Sequence, residues 1–268
     1  MRRHATHTVR LLLTIAGVAV AVAVGLAVGL LGGAAASTAV GHNDTSPIPS
    51  RQRLAAAAAA LTHTTRSASS GTLVAQARRR TIPLYHRHGK HPYRTLSPLP
   101  YSYGTRPVFR VLGRKHAWLH VSLPVRPNHS SAWIRRRDVA LGITDYRVEV
   151  EQHRHRLVLW RGSHRIVRTP IAVGKALTPT PTGTYFIAYV LRTGDPSGFF
   201  GPYAFGLSAY SNVLTRFAGG DGEVGMHGTS EPWLLGKSVS HGCIRIRNAV
   251  ISRLAHLLPL GTPVQIER

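Results

Sequence analysis

The chain has 268 residues, with 34 Lys and Arg against 10 Asp and Glu, a single Cys and a formal net charge of +24. Its 43% of apolar residues is enough to build a core, which excludes global disorder. One Cys excludes an intrachain disulfide framework and any multi-cysteine zinc or iron–sulfur site, and the charge points to polyanionic surroundings: nucleic acid, anionic lipid or an anionic cell wall.

Arg2, Arg3, His4 and Arg10 precede an apolar run over residues 11–36 that only Thr14 interrupts. A basic flank, an apolar stretch and the small residues Ala34, Ala35 and Ala36 form an export pattern. The run is long for a cleavable segment and long enough for a helix across about 30 Å of hydrocarbon. Residues 1–40 therefore read as an export signal or, by length, a membrane anchor. The basic side stays cytoplasmic, which places the rest of the chain outside the membrane, secreted or anchored at the cell wall. An exported chain rarely meets nucleic acid, so no nucleic-acid partner is expected. The membrane through the N-terminal segment and the anionic wall are the expected partners of the charge.

Residues 41–71, rich in Ser, Thr, Ala and Pro, read as a flexible linker. Between 72 and 141 the pattern turns to short β-type runs at 72–75, 82–85, 106–112, 118–123 and 132–134, separated by Pro, Gly and His-Gly turns. They predict a small β-barrel with Trp118, Leu119, Val121, Trp133 and Ile134 in its core; the alternative is that its aromatic residues are exposed and contact wall glycan or peptide. The stretch Ala117-Trp118-Leu119-His120-Val121, with Leu123-Pro124-Val125-Arg126-Pro127-Asn128 and Ala132-Trp133-Ile134, resembles bacterial SH3-like wall-associated domains. His86, His88 and His91 lack a neighbouring carboxylate or Cys and read as solvated.

A second β-rich block runs from 145 to 268. Strands are predicted at 146–150, 156–160, 166–173 and 185–191, then a long loop over 193–223. Asn248 is the predicted N-cap of a helix carrying Val250, Ile251, Leu254, Leu257 and Leu258, stopped by Pro259 and Gly261. Val264 and Ile266 alternate in a last strand.

The chemistry concentrates around the lone Cys, in Ser240-His241-Gly242-Cys243-Ile244-Arg245, with Met226-His227-Gly228-Thr229 upstream. A thiol with its ordinary pKa of about 8.5 is only slightly ionised at neutral pH and needs a base before it attacks a carbonyl. Cys243 precedes a short strand rather than a helix, so an imidazole partner is the more necessary. His227 and His241 are the candidates. His227 comes from a separate segment and approaches the sulfur more freely. Gly242 permits a turn in which amides near Cys243 converge on an oxyanion, Ser240 can hold the loop or a ring nitrogen, and Arg245 can bind a substrate carboxylate. A buried structural Cys is the alternative. Zinc on His227, His241 and Cys243 lacks a fourth ligand.

His227-Gly228-Thr229 followed by Ser240-His241-Gly242-Cys243-Ile244-Arg245 and Asn248 resembles the signature of the L,D-transpeptidase catalytic domain family of YkuD type. Thr178-Pro179-Thr180-Pro181-Thr182-Gly183-Thr184 resembles its proline–threonine turn. The resemblance implies a β-sandwich-like catalytic fold over 145–268. The whole chain is then all-β, an anchor or signal, an SH3-like barrel and a catalytic domain with one C-terminal helix. It implies Cys243 as nucleophile, His227 as proton acceptor and donor, and His241 and Gly242 as shapers of the nucleophile loop and oxyanion hole. It further implies peptidoglycan stem peptides as substrate, joined through a thioester on Cys243 with loss of D-alanine, and no metal or organic cofactor. Water as acceptor would make the chain an L,D-carboxypeptidase, and a non-catalytic wall-binding protein is the competing reading. Papain-like enzymes place Cys before His, the reverse of this order, and sortases separate His and Cys more widely.

Overall fold

A computed structural model describes residues 71–100, 102–216 and 220–268. The anchor or signal over 1–40 and nearly all of the 41–71 linker lie outside the described residues. Among the described residues, no helix is long and apolar enough to cross a membrane.

The first sheet is built from β1 (Thr72–Ala77), β4 (Val108–Lys115), β5 (Trp118–Ser122), β6 (Ser131–Arg135) and β7 (Val139–Thr144), in the order β6-β5-β4-β1-β7. Every pairing in it is antiparallel. The short strands β2 (Ile82–Leu84) and β3 (Arg94–Leu96) form a separate ribbon beside it. Ala75, Ile82, Leu84, Phe109, Leu119, Val121, Ile134 and Val139 make its core. Trp118 and Trp133, expected inside, are only half-buried. Strand parity decides this: once Leu119 and Val121, and Ala132 and Ile134, face inward, the residues that alternate with them, Trp118 and Trp133 among them, must face out. The two indoles instead meet His88 and His120, and Arg135 lies over the Trp118 ring. β7 was not foreseen. It pairs with β1 over six residues, and only Asp145 separates it from the next strand.

The second sheet contains β8 (Tyr146–Glu151), β9 (Arg156–Arg161), β10 (His164–Gly174), β11 (Gly183–Arg192), β12 (Tyr203–Tyr210), β13 (Glu223–His227), β14 (Ser238–Ser240), β15 (Ile244–Ile246) and β16 (Pro263–Glu267). Its order is β14-β10-β15-β13-β12-β11-β16-β8-β9, with β10 also paired to β9. β10 is long enough to do both: its first half pairs with β9, its second with β15 and β14. The sheet thus closes on itself, a barrel-like circuit where two stacked sheets were expected, and closure removes exposed strand edges. Its core gathers Val148, Leu157, Ile171, Ile187, Phe205, Leu207, Val224, Met226, Ile244 and Ile246. The helix α1 (Asn248–Leu257) packs Ile251 and Leu254 onto it.

Two expectations are corrected here. The predicted loop over 193–223 contains β12, whose Ala, Gly and Ser residues dilute the β signal although most of the strand is buried. Asn248 is the first helical residue rather than the N-cap. Arg247 takes the cap position without a side-chain bond, and the Asn248 carboxamide is used elsewhere.

Candidate active site

β13 and β15 are parallel neighbours, with Met226 opposite Ile244 and His227 opposite Arg245. Val224, Met226, Ile244 and Ile246 are core residues, so strand alternation turns Glu223, Gly225 and His227, and Cys243 and Arg245, to the other face. That face is the floor of a groove of about 470 Å³. Cys243, His227, Ser240, His241 and Arg245 all line it; Gly242 lies behind the loop, buried. Tyr189, Phe199, Phe200 and Glu223 contribute to its walls.

Cys243 is half-buried, and its Sγ accepts the Gly225 N–H at 3.5 Å. Burial pushes the thiol pKa up; the Gly225 amide and Arg245 oppose this, and Glu223 adds to it. His227 is 2% exposed, and its Nδ1 lies 2.6 Å from the Gly228 carbonyl oxygen. A carbonyl only accepts, so this partner puts the proton on Nδ1 and leaves the lone pair on Nε2. Burial lowers the His227 pKa to about 4, the Gly228 carbonyl works against the shift and Arg245 works with it. At neutral pH the resting pair is therefore thiol and neutral imidazole rather than thiolate and imidazolium. The rings of Phe199 and Phe200 pack against His227 at 5.6 and 4.9 Å between centroids and shield it from water.

The loop that carries Cys243 is held by buried hydroxyls. Ser240 Oγ donates to the Cys243 carbonyl at 2.6 Å and accepts the Gly242 N–H at 3.1 Å. The Gly242 amide is thus spent inside the loop. What Gly242 contributes is its backbone, whose φ of +120° favours glycine. Thr180 Oγ1 donates to the Gly242 carbonyl at 2.8 Å and accepts the Gly174 N–H at 2.9 Å; Thr178 Oγ1 donates to the Ser240 carbonyl at 3.2 Å. The proline–threonine turn is therefore a brace under the loop that carries Cys243. The resemblance had pointed to the turn without showing what it does.

Three further supports escaped the sequence reading. Asn248 Oδ1 accepts the Thr229 N–H at 2.7 Å and its Nδ2 donates to the Pro196 carbonyl at 3.1 Å, pinning two loops beside His227. A Cβ on Gly201 or Gly228 would run into that same Oδ1, so both loops approach it as glycines. Glu231 accepts a 2.6 Å bond from Arg245 Nη1. The Arg245 guanidinium also sits 4.7 Å over the Phe199 ring, so it is a fixed charge at the His227 end of the groove. Third, Arg126, between β5 and β6, donates from Nη2 to the Ser211, Leu214 and Asp221 carbonyls at 2.9–3.0 Å. Asn128 exchanges two 2.8 Å bonds with the Tyr210 backbone. Ser211, Leu214 and Gly222 line the groove, so the first sheet holds one of its walls.

Residues 145–266 match the family model described as YkuD, L,D-transpeptidase catalytic domain. The chain is 42% identical over 107 residues to a Bacillus subtilis protein provisionally named L,D-transpeptidase YkuD, covering 40% of this chain and 57% of that one. It is 39% identical over 121 residues to a Bacillus licheniformis protein of the same provisional name, covering 45% of this chain and 65% of that one. The chain thus spans less than two thirds of the length of these relatives. A solved L,D-transpeptidase from Mycobacterium smegmatis aligns with 74% of this chain and 99% of its own at 14% identity and a TM-score of 0.41. Residues 145–266 are thus similar to the L,D-transpeptidase catalytic domain of YkuD type.

Proposed function

We propose that the chain is a cysteine L,D-transpeptidase that crosslinks peptidoglycan stem peptides. One observation carries this reading: Cys243 and a His227 whose proton is committed to the Gly228 carbonyl share the groove-facing side of two adjacent strands. The neutral pair sets the order of events. The Cys243 thiol gives its proton to His227 Nε2 as the sulfur attacks the carbonyl of the third stem residue, forming the C–S bond. The C–N bond to the terminal D-alanine then breaks, and the proton on Nε2 leaves with its amine. The side-chain amine of a diamino acid on a second stem attacks the thioester and gives a proton to Nε2. The C–S bond breaks and that proton returns to the thiolate.

A buried imidazole with a pKa near 4 stays neutral through the physiological range, so it is available as a base. Once it holds the thiol proton it is a strong acid toward the departing amine. Ser240, Thr178 and Thr180 keep the loop in one geometry, and the groove-lining guanidinium of Arg245, though paired with Glu231, supports a role in attracting a stem carboxylate. The resemblance of 72–141 to SH3-like wall domains, the export pattern of residues 1–40 and the net charge support action outside the membrane, against an anionic wall.

The test is incubation of the full chain with a tetrapeptide muropeptide and mass analysis of the products. Loss of D-alanine with third-to-third crosslinks is expected. Loss of D-alanine without crosslinks would make water the acceptor and the chain a carboxypeptidase. Turnover retained in Cys243→Ala would overturn the thioester route.

A further inference from the structure

Glu223 opens β13 on the groove face, two residues before Gly225 and four before His227. It is the one carboxylate among the described residues that line the groove; Arg192, Arg245, His227 and His241 are the other titratable or basic groups there besides Cys243 and two tyrosines. Tyr189 Oη donates to its Oε2 at 2.9 Å. Its Oε1 is shielded from water and has no hydrogen-bond partner. None of the six ion pairs among the described residues includes it. Room for the carboxyl is made on purpose: a Cβ on Gly206 would stand 2.7 Å from Oε1, and the β11–β12 and β12–β13 pairings both shift register beside it.

A chain with 34 basic residues and 10 acidic ones has cations to spare, yet no ion pair among the described residues reaches this part-buried carboxyl. Burying an unpaired carboxylate is costly unless a cation or a full set of donors meets it. Burial raises its pKa to about 7, against the Tyr189 hydroxyl and helped by Asp221, as expected of a carboxyl that awaits a partner.

We propose that Glu223 is a specificity residue that receives the side-chain ammonium of the stem residue whose carbonyl acylates Cys243. The inference rests on the transpeptidase reading above and names the donor that the groove selects. Its geometry follows from the two strands. Cys243 lies directly before Ile244, which is opposite Met226, so Gly225 is the residue level with the sulfur. Glu223 and His227 then stand on either side of Cys243, each about 6.7 Å along the strand from that level. An acyl group on Sγ has the proton carrier on one side and the carboxyl on the other. An amine at the end of a four- or five-carbon side chain reaches roughly 6 Å from its Cα, which matches that step. Gly225, without a side chain, leaves the path open. A donor with a free amine forms a charge-assisted bond with the carboxyl; a neutral side chain leaves it buried and unpaired.

The experiment uses the full chain and two donors, a tetrapeptide with lysine at the third position and the same peptide with that lysine Nε-acetylated. The readout is the ratio of kcat/KM for D-alanine release. The wild type should favour the free amine by about tenfold or more, and Glu223→Gln should bring the ratio close to one. Glu223→Asp and Tyr189→Phe should lower it part-way, since the first shortens the carboxyl's reach and the second loosens its anchor. An unchanged ratio in Glu223→Gln overturns the proposal. Should that variant fail to fold, an unchanged ratio in both of the others does so. Absence of D-alanine release from either donor in the wild type is a different result: it overturns the transpeptidase reading and this assignment with it.

Discussion

The two sheets are made of the same kind of strand but bury different things. The first sheet keeps three polar residues buried, Ser102, Ser122 and Thr144. The second buries ten, among them Thr178, Thr180, Ser208, His227, Thr229, Ser240 and Arg245. Each buried hydroxyl or ring nitrogen costs free energy unless it is bonded, so the second sheet is the one organised around a site. In the first sheet Phe109 is in the core, but Trp118 and Trp133 stand outside it, where their contacts are with His88, His120 and Arg135. The lesson is that apolar packing alone does not distinguish scaffold from site here; the density of satisfied buried polar groups does.

The sharpest way to break that contrast is at the sulfur. Cys243→Ala should lower D-alanine release by about 10⁴-fold or more, while the melting temperature stays within a few degrees of wild type. A large drop in melting temperature would make Cys243 a packing residue instead. His227→Gln comes next, with an expected loss of about 10²–10⁴-fold. The pH profile sharpens it. The His227 pKa is depressed, so the imidazole remains a competent base as pH falls below the ordinary histidine value, and it is lost only near pH 4. The Cys243 pKa is raised, so its ionisation lies above the ordinary thiol range. The acid limb of the acylation rate should therefore fall near pH 4; a limb near 6.5 would mean that His227 is wetter than its packing indicates. The same shift makes His227 destabilising in acid, because the unfolded chain takes up its proton below about 6.5 and the folded chain only near 4.

Thr180→Val tests the brace. It removes the donor to the Gly242 carbonyl and the acceptor for the Gly174 N–H in one step. Two buried groups left unpaired should cost about 1–3 kcal/mol each at most, visible as a lower melting temperature. The rate should fall about tenfold beyond what instability explains, since the loop that carries Cys243 loses its fixed shape. A stability loss with kcat/KM intact would make the turn structural only.

Legibility followed the range of the interactions. Cys243, His227, Ser240, His241 and Arg245 stand in two short motifs, and the structure gathers all five on one groove. Gly242 was readable for its turn, but its amide serves Ser240 rather than an oxyanion. The brace and the wall were out of reach, because their bonds join positions 62 and 95 residues apart and no local pattern encodes such partners. Trp118 and Trp133 were placed inside on hydrophobicity when strand parity with Leu119 and Ile134 turns them out. β12 was hidden by its small residues, which are what let it pass under the groove: Gly206 makes room for Tyr189 and Glu223.

The smallest expected effect tests whether the first sheet is separate from the chemistry at all. Arg126 forks onto three backbone carbonyls at the two ends of the 211–222 segment, and that segment contributes Ser211, Leu214, Gly220 and Gly222 to the groove. A guanidinium can serve carbonyls in several directions from one plane, which an ammonium cannot do at the same reach. If the wall binds substrate as proposed, Arg126→Lys should raise KM for the donor peptide several-fold and leave kcat within about twofold, since the wall lies away from Cys243 and His227. The Asn128 bonds to the Tyr210 backbone keep β12 itself in place in that variant, so the stability change should be small. A fall in kcat with KM unchanged would put the effect on the nucleophile loop instead. The first sheet would then act through β12 on the sulfur rather than through the wall on the substrate.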